Sequence, residues 1–426
     1  MNDAVVLLLV MLGLIFINVP VTYALGLSSL YFFISQDINF MQFILKLTAT
    51  LDNFAFLAAP LFIFCGNLMN KGGVTDRIFD FACALVGHIR GGLGHVNVLG
   101  SALFAGMSGS AIADAAGLGP IEIKAMTDHG YDKEFAVALT GASAVIGPII
   151  PPSNIMILYG VVAEVSISRL FLGGAVPGIL ITVAQMIMVY IYALKRNFPR
   201  NNAFSLKLIW HELKRSFLSL VTVLVILIGI LSGAFTATEA GSVASLYVIL
   251  ISLFVYKEMN LKDIWTSTKE AASASGVILL LCGVAGVFGW CLSFVRAPQM
   301  ASNWIISLTS DKTLILILFT ILYLILGMLM EASAVVLCSV PIVVPLFKVI
   351  GIDLVYFGVL VGILMSIGTL TPPVGTVMFI LCKTNDITIQ RWTRFMVPWL
   401  ILLVGLVLLM IFIPQIITWL PTVVYS

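Results

Sequence analysis

Long apolar segments recur along almost the whole chain, and they constrain its fold more than any other feature. Of the 426 residues, 61% are hydrophobic and only 10% are charged, whereas about a quarter of the residues of a typical soluble protein carry a charge. A membrane-spanning helix uses about 20 apolar residues, so a chain of this length has room for roughly ten to thirteen crossings. The sequence therefore predicts an all-α polytopic protein of the lipid bilayer, because helices satisfy their own backbone hydrogen bonds in lipid.

The polar residues exclude several classes of protein. The 22 Lys and Arg residues nearly balance the 20 Asp and Glu residues and form no basic tract, so a nucleic-acid partner is not expected. The six cysteines and four histidines are scattered without the spacing of a transition-metal or redox site. The long polar connection at 195–215 is rich in Lys and Arg, which places it in the cytoplasm by the positive-inside rule.

The two halves of the chain resemble each other. Residues 130–157 align without gaps with residues 351–378, and eight of the 28 paired positions are identical. Among the identical positions are glycines, an aspartate and a pair of prolines, which chance matching of apolar residues would not readily produce. We expect a duplication, with a first repeat at 1–205 and a second at 206–426, as in many secondary transporters.

Each half places a proline pair inside an otherwise continuous apolar segment. The two segments read GPIIPPSN at 147–154 and GTLTPPVG at 368–375. A proline lacks its N–H and crowds the carbonyl four residues earlier, so each pair is expected to interrupt a helix. The expected broken helices extend over about 134–163 and about 354–381.

The interruptions should leave carbonyl oxygens without their helical partners. The carbonyls concerned belong to Gly147, Pro148, Gly368 and Thr369. Unpaired carbonyls are costly in hydrocarbon unless something polar meets them, and a sodium ion suits such hard oxygen ligands. The alternative is a proline kink that shapes packing, with neighbouring side chains or water satisfying the backbone.

A second polar element precedes each broken helix. The segment FAGMSGSA at 104–111 is rich in small residues, which is typical of the tip of a re-entrant hairpin, expected here over about 97–126, and its Ser108 and Ser110 offer hydroxyl oxygens. Asp114 lies one helical turn beyond Ser110, and an ionisable group at membrane depth indicates either a function or a carboxyl that caps the hairpin's own backbone. Glu331 occupies the place in the second half that Ser108 holds in the first, where it either balances a cation or lies at an interface.

Four ordered motifs resemble those of a known family. SGSAIAD at 108–114, GPIIPPS at 147–153, FTATEAG at 235–241 and TPPVG at 371–375 are similar to segments of the large membrane subunit of tripartite ATP-independent periplasmic (TRAP) transporters, and the resemblance extends over essentially the whole chain. It implies two inverted repeats, each with a re-entrant hairpin and a discontinuous helix, that move substrate by an elevator motion. The second hairpin is expected over about 332–350.

The resemblance also implies a function and two sets of site residues. The function is sodium-driven import of a small organic anion, such as a C4-dicarboxylate, a sugar acid or a sialic acid, across the bacterial inner membrane, with no organic cofactor. The implied sodium-binding residues are Ser108, Ser110, Gly147 and Pro148 in the first repeat and Ala332, Ser333, Gly368, Thr369 and Thr371 in the second. The implied substrate-binding residues are Ser110, Asp114, Ser153, Asn154 and Thr376. The implied partners are a small four-helix membrane subunit and a soluble periplasmic protein that captures the organic acid.

The sequence departs from the family pattern at the second hairpin. Relatives usually carry Asp followed, after one residue, by Thr-Pro, where this chain has Glu331 and then Ser333-Ala334. The departure changes the residues available for the second cation site, and it bears on which substrate the protein binds. Other functions stay open: a membrane enzyme would need convergent titratable residues, of which only isolated ones are present, and a channel would expose carbonyls in one continuous filter. A nucleotide-driven pump is disfavoured because the G-x-x-x-x-G-K-[ST] loop is missing.

Overall fold

The computed structural model describes residues 3–17, 19–201, 203–309 and 311–425, and the regular secondary structure of these residues is entirely helical. The helices of the first half are α1 Asp3–Phe16, α2 Val21–Ser35, α3 Phe40–Leu51, α4 Ala58–Lys71, α5 Val74–Val86, α6 Gly92–Ser108, α7 Ala111–Gly117, α8 Gly119–Asp128, α9 Lys133–Ala144, α10 Asn154–Ala163 and α11 Ile167–Arg196. Those of the second half are α12 Leu206–Leu231, α13 Ala237–Leu250, α14 Leu261–Phe294, α15 Ala297–Leu308, α16 Lys312–Leu329, α17 Ala332–Ile350, α18 Leu354–Gly368, α19 Thr376–Thr384, α20 Ile389–Phe412 and α21 Gln415–Tyr425. A 3₁₀ turn, Phe54–Leu57, precedes α4, and a π-helical turn, Ile251–Tyr256, continues α13.

The helices have the length and composition of membrane spans. Within the described residues, eight helical stretches are long and apolar enough to cross a bilayer. Five more apolar helices are shorter, and they include α10 and α18, which adjoin the proline pairs. The all-α polytopic architecture expected from the sequence is therefore confirmed.

Both apolar segments that contain a proline pair are interrupted, as the sequence predicted. The first segment is helical as α9 and α10 with residues 145–153 between them, and the second as α18 and α19 with residues 369–375 between them. The peptide bonds Pro151–Pro152 and Pro372–Pro373 are both cis. The inverted relation of the two halves, and the repeat boundaries, stay predictions.

A helical pair with a short tip precedes each interrupted segment. In the first half α6 ends at Gly109, whose φ of 58° is left-handed, and α7 begins directly after Ser110. In the second half α16 and α17 meet at Met330 and Glu331. The two tips therefore occupy equivalent places in the two halves of the chain.

The two halves pack across each other. Helix α7, after the first tip, packs on α19 of the second interrupted segment, and α17, after the second tip, packs on α10 of the first. Helices α10 and α18 also meet closely, because a Cβ on Gly358 would lie 2.3 Å from the Tyr159 ring. The Tyr159 hydroxyl donates a hydrogen bond of 2.8 Å to the Leu354 carbonyl. This packing brings both tips and both interruptions to one place.

Candidate functional site

A cavity of about 390 Å3 lies where the two tips and the two interruptions meet. From the first half its lining includes Ser108, Ser110, Pro148 and Asn154. From the second half it includes Glu331, Ala332, Ser333, Ser366, Thr369 and Thr376. The polar residues of both halves, which are more than 170 positions apart in the chain, therefore face one space.

The opposite wall of the cavity is formed by two long helices. Helix α4 contributes Phe62, Ile63, Gly66 and Asn67, and α14 contributes Ala274 and Ile278. Helix α4 packs against both α13 and α14, outside the tips and interruptions. The cavity thus lies between two structural groups, one that carries the polar tips and one that is largely apolar on its cavity side.

The charge of the cavity is unusual for an anion site. Among the described residues that line it, Glu331 is the only one with a formally charged side chain. Its carboxylate caps α17 by accepting hydrogen bonds from the Ala334 backbone N–H at 3.2 Å and from the Ser333 hydroxyl at 3.0 Å. Any anionic cargo in this cavity would therefore depend on neutral donors or on mobile cations for its charge balance.

The first tip is fixed directly to the first proline loop. The N–H of Asn154 donates a hydrogen bond of 3.3 Å to the carbonyl of Gly109. A Cβ on Gly109 would lie 2.5 Å from the carbonyl oxygen of Pro152, and the left-handed backbone there also favours glycine. The second half has a similar link, in which the N–H of Val374 donates to the carbonyl of Met328 at 3.0 Å.

Asp114 lies behind the first tip. It is 1% exposed, and the hydroxyl of Ser108 donates a hydrogen bond to one of its carboxylate oxygens. The other oxygen, Oδ2, has no hydrogen-bond partner among the described residues. It faces Gly147, where a Cβ would lie 2.6 Å from Oδ2. The carboxylate therefore lies against two residues of the predicted sodium set.

The predicted substrate residues divide into two groups. Ser110, Asn154 and Thr376 line the cavity, whereas Asp114 and Ser153, both within the described part of the chain, do not. Ser153 is fully buried and caps α10 by accepting a hydrogen bond of 3.2 Å from the N–H of Met156. Contact of Asp114 and Ser153 with a substrate stays a prediction.

The carbonyls at the two interruptions differ. In the described residues, neither Gly147 nor Pro148 has a carbonyl that accepts a backbone hydrogen bond. The Gly368 carbonyl, by contrast, accepts from both the N–H and the hydroxyl of Thr371, at 3.1 and 2.9 Å. The Thr369 carbonyl accepts from the N–H groups at positions 377 and 378, at 3.1 and 3.2 Å.

The expectation of carbonyls without partners is therefore wrong for the second half. The Gly368 oxygen accepts from Thr371, which precedes the proline pair, and the Thr369 oxygen accepts from N–H groups of α19, which follows it. In the first half, the N–H groups at the equivalent positions of α10, Met156 and Ile157, donate to the hydroxyl and the carbonyl of Ser153 instead. Sodium binding by either set of residues stays a prediction. The carbonyl oxygens of Gly147 and Pro148, which accept no backbone hydrogen bond within the described residues, make the first set the better candidate.

Two contributions to the site were missed by reasoning from sequence. Asn67 lines the cavity from the middle of apolar α4, and Ser366 lines it from the last turn of α18. A polar residue within an apolar segment is the signal that could have drawn attention to Asn67. The apolar residues of α14 carry no such signal in the sequence. They line the cavity because that helix packs beside the tips.

Comparison with protein families gives a match over nearly the whole chain. The profile of the family described as "Tripartite ATP-independent periplasmic transporter, DctM component" matches residues 8–416. The sialic acid TRAP transporter large permease protein of Vibrio cholerae is 41% identical over 413 residues, which are 96% of either chain. The sialic acid TRAP transporter permease protein of Haemophilus influenzae is 42% identical over 422 residues, which are 99% of this chain and 68% of that one.

More distant proteins share the architecture. The 2,3-diketo-L-gulonate TRAP transporter large permease protein of Escherichia coli is 35% identical over 410 residues, 96% of either chain. Among solved structures, the Alcanivorax borkumensis YdaH transporter superposes with a TM-score of 0.59 at 16% identity and covers 86% of both chains. The Neisseria gonorrhoeae MtrF protein gives 0.58 at 11% identity over 89% of this chain and 85% of the other. At these identities the solved structures support the fold alone.

Proposed function

This chain belongs to the DctM component family of tripartite ATP-independent periplasmic transporters and is a multi-pass inner-membrane protein, and on that premise we propose that it imports a small organic acid together with sodium ions. The observation that carries the proposal is the cavity of about 390 Å3 at the meeting point of both tips and both interruptions. The chain would act as a carrier and not as an enzyme. The cargo would be held between the polar tips and the wall of α4 and α14.

The cargo we propose is a sugar acid of the sialic-acid type. The two relatives near 40% identity are named for sialic acid. The cavity volume falls within the range of roughly 300–1,000 Å3 typical of pockets for drug-sized ligands, which suits a sugar acid better than a four-carbon diacid. Hydroxyl and amide groups of Ser110, Asn154 and Thr376 would bind the carboxylate and hydroxyls of the cargo.

Sodium would bind first at the Asp114 side of the first tip. A buried carboxylate is stable when it is paired or coordinates a metal ion, and Oδ2 of Asp114 lies beside Gly147 with no hydrogen-bond partner among the described residues. Ligands would come from Asp114, from the Ser108 hydroxyl and from the carbonyls of Gly147 and Pro148. In this proposal Asp114 is therefore a sodium ligand and not a substrate-binding residue. The second ion would use Ala332, Ser333, Gly368, Thr369 and Thr371 after a local rearrangement of the hydrogen bonds at Thr371.

The transport step we propose is an elevator movement. The tips and interruptions of the two halves pack on each other and would move as one body past α4 and α14. A small four-helix membrane subunit would complete the scaffold, and a periplasmic binding protein would deliver the organic acid.

Uptake into proteoliposomes tests the proposal. Vesicles that contain both membrane subunits should accumulate sialic acid from the loaded binding protein when sodium is high outside, and should not do so when potassium replaces sodium. Equal uptake under both conditions would reject sodium coupling. Ser110→Leu should abolish uptake because it fills the cavity, whereas Ser242→Leu, at an exposed position of α13, should not. Uptake by Ser110→Leu at the wild-type rate would reject the cavity as the cargo site.

A further inference from the structure

A second buried carboxyl group lies in the first half, away from the cavity. Glu122 of α8 is 2% exposed, and α8 packs against α6, α7 and α9. One of its oxygens, Oε2, accepts a hydrogen bond of 2.8 Å from the side-chain amide of Asn97. The other oxygen, Oε1, has no partner among the described residues. No role at the cavity or in the sodium set accounts for this residue.

Glu122 terminates a buried chain of hydrogen bonds. The Ser101 hydroxyl donates to that of Ser143 at 3.0 Å, and Ser143 donates to the Asn97 carbonyl oxygen at 2.7 Å. The Asn97 amide then donates to Glu122 and also to the Thr140 hydroxyl at 2.7 Å. Ser101, Ser143, Asn97 and Thr140 are each at most 1% exposed, and of these Asn97 donates directly to Glu122. The carboxyl group therefore lies at the end of a polar network that is closed off from bulk solvent.

Within the part of the chain that the structure describes, Glu122 forms no ion pair. The titratable or charged side chains on α8 and on the helices packed against it are His95, Asp114, Lys124, Asp128, Lys133 and Glu134, and Cys83 of α5 also interacts with it electrostatically. Within the described residues, none of these forms an ion pair with Glu122. Lys133 begins α9, seven residues before Thr140, and therefore about 10 Å away along the helix axis. An ionised carboxylate buried without a countercharge is costly, so Glu122 requires a cation.

The surroundings of Glu122 suit a proton better than sodium. A hard metal cation takes several oxygen ligands, but the Asn97 amide donates to Glu122 and to the Thr140 hydroxyl, and its carbonyl oxygen accepts from Ser143. Oε1 faces Gly100, where a Cβ would lie only 3.2 Å away. Asp114 differs from Glu122 because it lies beside Gly147, whose carbonyl oxygen accepts no backbone hydrogen bond within the described residues. A proton needs a single oxygen and no space.

We propose that Glu122 is a proton-binding site and that the transporter moves its cargo only while this carboxyl carries its proton. The step is an acid–base equilibrium in which a proton from water forms an O–H bond at Glu122 and neutralises its charge. The moving body then carries one charge fewer through the bilayer. The transport part of this inference rests on the proposed function, whereas the protonation part does not.

Infrared spectroscopy of the purified protein tests protonation directly. At neutral pH we expect a carbonyl band of a protonated, buried carboxyl group in the wild type and in Asp128→Asn, which changes an exposed acid on the same helix. This band should lose the Glu122 component in Glu122→Gln. Identical bands in the wild type and in Glu122→Gln would overturn the proposal. If Glu122→Gln does not fold, as judged by its melting temperature, loss of the wild-type band on alkaline titration supports the proposal and a wholly unchanged band overturns it.

The pH profile of uptake tests the transport part. With equal pH on both sides and a fixed sodium gradient, uptake by the wild type and by Asp128→Asn should fall at alkaline pH. Glu122→Gln, which keeps the hydrogen bond to Asn97 and cannot lose a proton, should work within about twofold of the wild type at neutral pH and should not share this fall. The same alkaline fall in Glu122→Gln would overturn the proposal. Loss of its uptake at neutral pH, together with a weaker stabilisation by sodium, would assign sodium to Glu122 instead. Failure of sodium-driven uptake in the wild type itself would reject the proposed function, and the infrared result would still decide protonation.

Discussion

Replacing Gly147 with alanine would test the predicted sodium ligands at the first tip. The new Cβ would lie 2.6 Å from Oδ2 and 3.1 Å from Cγ of Asp114, and 3.2 Å from the carbonyl oxygen of Ala144. Asp114 cannot turn away freely, because it is buried and holds the hydrogen bond from Ser108. Inserting a methyl group into a tightly packed site costs about 1–3 kcal/mol. If this strain falls on the ion-bound arrangement, the half-saturating sodium concentration should rise by about 5- to 150-fold.

The measurement is the sodium dependence of uptake, together with the shift in melting temperature that sodium produces in the purified protein. Gly405→Ala is the matched control, because a Cβ there meets nothing within 4 Å. It should keep the sodium dependence of the wild type. A folded Gly147→Ala protein with an unchanged half-saturating sodium concentration would refute the assignment of sodium to Asp114 and the first proline loop.

Two further predictions concern stability. Gly358→Ala should destabilise the protein by about 1–3 kcal/mol, because the new Cβ would lie 2.3 Å from the Tyr159 ring. Gly276→Ala is the control and should not destabilise it, because a Cβ there meets nothing within 4 Å. Equal melting temperatures of the two variants would contradict the close packing of α10 and α18. Outside the spans, the Arg77 guanidinium donates hydrogen bonds of 2.7 and 3.1 Å to Glu258 and lowers the pKa of that carboxyl. The stability it contributes is present above the unfolded pKa of about 4.3 and is lost as the pH falls through the lower folded value. Glu258→Gln should therefore lower the melting temperature at neutral pH. The loss should correspond to at most about 1 kcal/mol, since the Glu258 side chain is 44% exposed. A melting-temperature difference from the wild type that persists in acid would count against the ion pair.

Local chemistry made part of this fold predictable from the sequence. Two adjacent prolines remove two helical N–H donors in succession, and both proline pairs lie in the interruptions at 145–153 and 369–375, whereas single prolines such as Pro177 and Pro398 lie inside continuous helices. Likewise, the run of small residues before Ala111 indicated the first tip. In the second half, the run of small residues is missing, and Glu331 marks the place where the largely apolar α16 and α17 meet.

The parts of the site that depend on long-range packing could not be predicted in this way. The resemblance implies Asp114 as a substrate residue, and the sequence gives no sign that its carboxyl lies behind the tip, against Ser108 and Gly147. The Gly368 carbonyl is occupied because the backbone turns at the interruption and Thr371, just before the proline pair, donates to it. The contribution of Asn67 depends on α4 lying opposite the tips.

The lack of any Lys or Arg among the described residues that line the cavity has a consequence for unloading. A permanent guanidinium would keep attracting the carboxylate of the cargo after arrival in the cytoplasm, and release would be slow. Here the only compensating positive charges would be ions that diffuse away where sodium is scarce. Affinity would then fall on its own at the inner face, and the same dependence would discourage the empty carrier from taking the acid back out of the cell.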